Sequence, residues 1–235
     1  MKKSILKADL HIHSVLSACA SLDMSPKNII EKAKELNIDV IAITDHNSCG
    51  NCEVAQRLGE KNNIIVLCGM EITVAEEFHV VALFSEISQA RAVEKKLHEK
   101  LLPIEIDEDR NGYQLVVDED ENIIRHEKIF LNQATLPCDD VIKLVKENDG
   151  FFFFSHIDRD YYSILATLGF IPDKYQDMTF EIYGFDKKGM EKTIRNSDAH
   201  FIDWIGHRCF LIESKPDKES VIKNLLTSNF YYKED

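Results

Sequence analysis

Asp9-Leu10-His11-Ile12-His13 follows directly on an apolar stretch, and its two histidines are spaced i, i+2. On an extended backbone that spacing sends both imidazoles to one side. A strand over residues 5–9 would deliver the two rings to the rim of a sheet, where a metal ion can take them. Neutral imidazole suits zinc, iron, manganese or nickel. Alone, a His-x-His pair carries little weight, so the positions of the other histidines matter.

They fall in comparable places. The apolar run 40–43 leads into Thr44-Asp45-His46, and 64–67 leads to Gly69-Met70-Glu71. His79 opens the run 79–84, the four phenylalanines 151–154 precede Ser155-His156, and 193–196 precede Ser197-Asp198-Ala199-His200. Six of the nine histidines therefore lie at the ends of strand-like runs, mostly the C-terminal ends. Chance placement would scatter them over helices and loops.

Helical signals separate these runs. Ser25-Pro26 reads as an N-cap with proline at the first helical position, followed by Ile29, Ile30, Ala33 and Leu36 at helical spacing. Residues 51–61 offer Val54, Ala55 and Leu58. Val141, Ile142, Leu144 and Val145 mark a third helix, stopped near Asp149-Gly150, and Val221, Ile222, Leu225 and Leu226 mark the last. Strands alternating with helices predict an α/β fold with a parallel sheet and right-handed crossovers. Strand C-termini then converge on one face, where barrel active sites lie. A length of 235 residues suits one closed barrel, a single domain over 1–235.

The ordered set Asp-x-His-x-His, Thr-Asp-His, Glu71, His79, Ser155-His156 and Ser-Asp-x-His, running from Asp9 to His200, resembles the polymerase and histidinol phosphatase (PHP) superfamily, in its small stand-alone phosphoesterase form. The resemblance implies a distorted seven-stranded (β/α) barrel, TIM-like, that binds two or three divalent ions (Zn, Mn or Fe) and hydrolyses phosphate esters. It implies a first ion on His11, His13, Glu71 and Asp198, with Glu71 bridging to a second ion on His79 and His156. A third ion would use His46, His200 and a ligand from the loop after His13. Relatives place an Asp or His in that loop. Here the nearest candidate is Cys19, with Asp23 as the alternative. A thiolate is a good zinc ligand and a poor one for manganese or magnesium. Asp9 and Asp45 read as outer acceptors that orient imidazole N–H groups.

Divalent ions held by such a set acidify a bound water towards a pKa of ~7 and clamp the oxygens of an in-line displacement. Phosphoryl transfer needs positioning and charge neutralisation above all. Glu71 and Asp198 are the catalytic candidates at the ions. Arg159, three residues after His156, is the candidate phosphate fork, with Arg195 and Arg208 as rivals.

Asp plus Glu outnumber Lys plus Arg by 41 to 28, a formal charge of −13. With no basic stripe, long nucleic acid is not expected as a partner. The expected substrate is a small phosphate ester: a monoester, a nucleotide or a short oligonucleotide end. The basic start Met1-Lys2-Lys3 is followed by a segment too short and too charged for an export signal, and no apolar run approaches ~18 residues. No membrane is expected, and a cytoplasmic location with six reduced cysteines is. Cys49-Gly50-Asn51-Cys52 reads either as a redox pair at a helix start or as an ordinary loop-to-helix segment. His98, His126 and His207 read as residues without ligand roles.

Residues 86–133 are more than a connection needs. They read as an insertion near the barrel mouth: an acidic-basic surface helix over 90–102, ended by Pro103, then a hairpin with its charged turn at 118–122. Two other function classes compete with the phosphoesterase. One is a non-catalytic PHP module that binds metal or protein. The other is an amidohydrolase, which would want a bridging lysine at a middle strand, and none of the strand ends supplies one.

Overall fold

The computed structural model describes residues 3–184 and 192–231, so Met1 and Lys2 of the basic start lie outside it. Among the described residues, one sheet holds nine strands in the order β11-β10-β1-β2-β3-β4-β7-β8-β9. These are β1 (Ser4–Ile12), β2 (Val40–Ile43), β3 (Ile65–Thr73), β4 (His79–Phe84), β7 (Phe151–Phe154), β8 (Phe180–Glu181), β9 (Thr193–Ile194), β10 (Phe210–Ser214) and β11 (Phe230–Tyr231). A two-stranded sheet pairs β5 (Leu115–Val117) with β6 (Ile123–His126). The helices are α1 (Pro26–Glu35), α2 (Cys52–Asn62), α3 (Ile87–His98), α4 (Glu108–Asn111), α5 (Cys138–Glu147), α6 (Ile164–Leu168) and α7 (Lys218–Leu226).

The α/β barrel expected from the sequence is present, with two differences. The sheet has two further strands beyond the expected seven, because β10 runs antiparallel along the first half of β1 and carries β11 with it. The second half of β1 is left for the segment after β9: Ile12 bridges Ala199, and His13 N donates to Ala199 O at 3.0 Å. That bridge brings the two ends of the seven-strand series together. The sheet is also mixed rather than parallel, since β4 is antiparallel to both β3 and β7. Only residues 74–78 join β3 to β4, which allows a hairpin and not a crossover. This reversal explains why His79 opens its strand while the other candidates close theirs. All reach the same rim.

Strand pleating sorts the core into two layers. Val40, Ala42, Leu67, Val81, Leu83, Phe151 and Phe153 point inward and pack with Val221 and Leu225 of α7. Ile41, Ile43, Val66, Cys68, Val80, Ala82, Phe152 and Phe154 point outward under α1, α2, α3 and α5. Continued past the last apolar layer, the inward parity falls on His46, Glu71, Glu181 and Asp198, and on His79 at the start of β4. β1 keeps the parity only through a bulge. Ala8 pairs with Val40 and Asp9 with Ile41, but the next pair is Ile12 with Ile43, so Leu10 and His11 together oppose Ala42. The extra residue leaves Leu10 in the inner layer and turns His11 and His13 inward as well.

Helix starts follow the sequence signals. Ser25 Oγ accepts from Asn28 N at 3.2 Å with Pro26 at the first position, and Ile29, Ile30 and Ala33 are buried. Asp217 accepts from Ser220 N at 2.8 Å and starts α7. The expected surface helix over 90–102 is α3, which starts and ends earlier and buries Ala90, Val93 and Leu97. The hairpin β5–β6 turns through 118–122 as expected.

Phe154 is fully buried among Phe78, Tyr175 and Phe180, with ring centroids at 6.0, 5.0 and 5.5 Å. Phe154→Ala should lower the unfolding free energy by about 3–5 kcal/mol, read from the urea midpoint. A loss under about 1 kcal/mol would mean that this aromatic stack does not hold β7 to the outer layer.

Candidate metal centre

Every ligand candidate converges on the rim described above. Glu71, at the end of β3, is the hub. Its Oε1 lies 3.2 Å from His11 Nε2, 3.1 Å from His79 Nδ1 and 3.2 Å from His156 Nε2. Its Oε2 lies 3.3 Å from His13 Nε2 and 3.4 Å from His46 Nδ1. Asp198 Oδ1 lies 3.2 Å from both His11 Nε2 and His13 Nε2. Cys19 Sγ is 3.4 Å from His46 Nε2, and His200 stacks on His13 at 4.2 Å. Asp23 is exposed on the loop, so Cys19 is the residue that joins these histidines.

The outer partners differ from expectation. Asp9 accepts from the backbone N–H of Ser197 and of Gly206, at 3.0 and 2.9 Å. Asp45 accepts from Ser14 N, Ser14 Oγ and Ser17 Oγ. Neither carboxylate touches an imidazole. Glu181 does: its oxygens lie 3.1 and 3.0 Å from His11 Nδ1, and it also accepts from His156 N and Asn196 Nδ2. Ser17, whose hydroxyl donates to Asp45 Oδ1, accepts from His13 Nδ1 at 2.9 Å. Sequence reading missed Glu181 because it closes a strand of two residues, too short to show a period.

These bonds fix both tautomers. With Nδ1–H held by Glu181 and Ser17, His11 and His13 present Nε2 to each other at 3.3 Å, beside two carboxylates. Such an array of facing lone pairs calls for cations. Buried polar atoms without a hydrogen bond make the same point: both nitrogens of His79, Nδ1 of His46, Nδ1 of His156 and Oδ1 of Asp198. The donor set therefore fits divalent metal ions. Grouped by ligand atoms within 4.8 Å of one another, it divides into His11-His13-Asp198, His46-Glu71-His79 and His13-Cys19-His46-His200.

In the metal-free chain, protons stand in for the ions. Burial opposes charge on His11, but the carboxylates of Glu181, Asp198 and Glu71 outweigh it and hold its pKa well above the usual value. For His13 burial is likewise outweighed, by Asp198 and Glu71, and its pKa rises to about 9. Burial would raise Glu71, yet His79 and His11 pull it well below the usual range. Burial and the neighbouring charge on His13 take His200 down to about 4 and leave His46 well below its usual value. Burial, with the fields of Glu71 and Asp198, pushes the Cys19 thiol far up.

Backbone strain marks two ligand positions, since His156 has φ 29° and Asp198 φ 49°. Neither is glycine, and such conformations persist only where the surroundings over-determine them. A cleft of about 380 Å³ opens over the centre, lined in part by His79, His156, Arg159, Asn132, Tyr161 and Tyr162. Tyr162 stacks on His79 at 4.8 Å. Arg159 donates to Asp198 Oδ2 and lies 4.8 Å from the Tyr183 ring, with Arg208 over the same ring at 3.4 Å. Asn132 comes from the 86–133 segment, which thereby reaches the cleft wall. A larger cavity of about 470 Å³ lies elsewhere, among Leu6, Asp39, Ile65 and Asp217, and holds no histidine. Cys49 and Cys52 are buried in the outer layer, and the Cys52 thiol faces Ile43 O and Gly69 O.

The sequence profile of the PHP domain matches residues 9–213. The chain belongs to the PHP-domain family. It is 33% identical over 87 residues to the uncharacterized protein MJ1587 of Methanocaldococcus jannaschii, a match covering 34% of this chain and 50% of that protein. Endonuclease Q of Pyrococcus furiosus superposes with a TM-score of 0.67 at 17% identity, over 94% of this chain and 55% of that one. Endonuclease Q in complex with a 27-mer duplex, with an abasic lesion at its active site, gives 0.67 at 18% identity, over 95% and 57%. A two-domain protein of Bacteroides vulgatus, described as containing a predicted PHP-like metal-dependent phosphoesterase, gives 0.63 at 17% identity, over 98% and 65%. The PHP chain thus spans about half the length of the archaeal protein and of endonuclease Q. At such identities the solved structures share its fold.

One expectation is corrected here. The charge of −13 argued against long nucleic acid, yet endonuclease Q, on this same fold, holds a 27-mer duplex at its active site. Net charge sums over the whole surface, whereas bound cations dominate the field at a cleft of this kind. The acidic composition therefore excludes no nucleic acid. Among the described residues no helix is long and apolar enough to cross a membrane.

Metal loading must displace protons from His11, whose pKa is held well above the usual value, and from His13, whose pKa is about 9 in the metal-free chain. Apparent affinity for zinc should therefore climb as pH rises from 6.5 to about 9, with net proton release. Calorimetry in buffers of different ionisation enthalpy measures it. Binding that releases no protons at neutral pH would contradict this electrostatic description.

Proposed function

We propose that this PHP protein is a metal-dependent phosphoesterase that hydrolyses a phosphate ester entering the cleft, such as a monoester, a nucleotide or an oligonucleotide end. The observation that carries the reading is the splitting of Glu71. One carboxylate oxygen faces His79 and His156 as well as His11, and the other faces His13 and His46. A carboxylate so placed is suited to bridge two ions.

In this reading His11, His13, Asp198 and Glu71 hold one ion, and Glu71, His79 and His156 hold a second. The ions, as Zn, Mn or Fe, supply Lewis acidity: they neutralise phosphoryl charge and lower the pKa of a water. Glu181 and Ser17 hold His11 and His13 in the tautomer that presents Nε2. Arg159 uses one N–H on Asp198 and has further donors for a phosphoryl oxygen at the cleft edge. Tyr162 packs on the His79 ring and limits its rotation. The segment 86–133 acts as an insertion that walls the pocket through Asn132.

The test is release of p-nitrophenol from p-nitrophenyl phosphate and its bis-ester by metal-loaded protein, with metal content measured alongside. Loss of a hydrogen-bond partner of a metal ligand costs roughly 10–100-fold, so Glu71→Gln should lose at least about 100-fold in turnover while remaining folded. Arg159→Ala should raise KM more than it lowers kcat. Unchanged turnover in Glu71→Gln, or less than one ion per chain in the unmodified protein, would leave a non-catalytic module as the better reading.

A further inference from the structure

We propose that a side pocket walled by the segment 86–133 takes the alcohol part of the phosphate ester. It accepts an uncharged, hydroxyl-bearing group of about one sugar ring and turns away an alcohol that carries a second charge. The inference rests on reading the centre as a phosphoesterase site, and it names the substrate class. The pocket has a volume of about 140 Å³. Cys19, His46 and Asn132 line both it and the cleft over Glu71, so the two spaces adjoin. Asn111, Gln114 and Phe130 supply most of the remaining wall.

Its chemistry contrasts with the cleft beside it. The cleft holds Glu71, Arg159, Asp160 and Asp198, whereas no Lys, Arg, Asp or Glu lines the side pocket. A charged group entering it would shed water without meeting an opposite charge, which is strongly unfavourable. A neutral hydroxyl exchanges its water for amide hydrogen bonds at little cost. Thr73 Oγ1 donates to Asn132 Oδ1 at 2.9 Å, and Asn132 Nδ2 then lies 3.4 Å from His46 Nε2. That N–H is placed to reach an ester oxygen beside the centre. Asn111, the last residue of α4, is exposed and offers both a donor and an acceptor. Phe130, half-buried, gives apolar surface for the carbon face of a ring. At ~30 Å³ per water, the volume matches roughly five waters, the space of one small ring.

The pocket is held in shape by the protein itself. Gln114 is buried and its amide is spent: Nε2 donates to Glu127 O and Ile129 O at 3.0 and 2.8 Å, and Oε1 accepts from Leu131 N at 2.9 Å. Leu115 N donates to Val15 O at 2.8 Å, and Asn47 Nδ2 donates to Leu131 O and Gln133 O at 2.7 and 2.8 Å. These bonds tie the segment to the loops after β1 and β2. Gly112 has φ 90°, and a Cβ at this position would lie 2.2 Å from Ala18 O. Only glycine lets the segment close so tightly against the loop that forms the opposite wall. A pocket already formed pays little ordering cost when it is filled.

Zinc-loaded protein should be given glycerol 3-phosphate, 3-phosphoglycerate and ribose 5-phosphate. KM is read from phosphate release, and Kd from calorimetry where an ester binds without turnover. Glycerol 3-phosphate, with a neutral alcohol, should bind about tenfold tighter than 3-phosphoglycerate, whose alcohol carries a carboxylate, and ribose 5-phosphate tighter still. Asn111→Ala should weaken ribose 5-phosphate about fivefold, and Asn111→Arg should reverse the order of the two smaller esters. Inhibition by inorganic phosphate should stay unchanged in both variants, and Ile124→Ala, exposed elsewhere in the segment, should alter nothing. Equal affinity for the two smaller esters, or no effect of Asn111→Ala, would overturn the pocket and leave the Glu71 centre intact. Phosphate inhibition that weakens in step with the esters would overturn it too. The expected discrimination without turnover would support the pocket and count against hydrolysis. No binding of the esters or of inorganic phosphate would overturn both readings.

Discussion

A single buried carboxylate, Glu71, meets five imidazoles, and the rest of the rim depends on that encounter. Placing a carboxylate out of water costs several kcal/mol unless opposite charge and hydrogen bonds replace its hydration. In the metal-free chain the replacement is protonic, through His11 and His13. If these groups held metal ions, they would exchange Nε2 protons for a cation and could keep Nδ1–H on Glu181 and Ser17. The outer hydrogen bonds are thus common to both states, so loading the centre need not repack the barrel.

Delivery of these side chains follows from pleat parity. Inward positions are apolar up to a layer of Ala42, Leu67, Val81 and Phe153; on β3 the inward series then runs through Gly69 to Glu71, and on β4 it ends at His79. Where parity alone would fail, the backbone departs from regularity. A bulge turns His11 and His13 inward, and a left-handed conformation at His156 redirects a side chain that the parity of Phe152 and Phe154 would send outward. Each left-handed residue costs of order 1–3 kcal/mol. Such local violations gather at functional sites, where the surrounding structure sustains them.

The rim combines two donor chemistries within one cluster. Carboxylates dominate around Glu71 and Asp198, while the loop after His13 brings the sulfur of Cys19 to His46 and His200. A neighbour of the same fold is solved with duplex DNA, so the net charge of −13 is no ground for excluding nucleic acid.

Much of this was legible in the residues themselves. Helix starts at Ser25-Pro26, the histidines at run ends, the barrel class and the hairpin at 118–122 follow from short-range patterns, which depend on neighbours a few positions away. The direction of β4 was legible only in hindsight, through the five residues that join it to β3. Other features belong to tertiary structure alone. Glu181 meets His11 across 170 positions of chain, and Ser17 rather than Asp45 accepts the hydrogen bond of His13 Nδ1. The two-residue strands β8 and β9 have no period to read, and the bulge in β1 exists only relative to β2. The amino-acid order determined which groups could bind metal. Closure of the ring decided which of them face one another, because contacts across so many residues are set by packing and not by any local pattern.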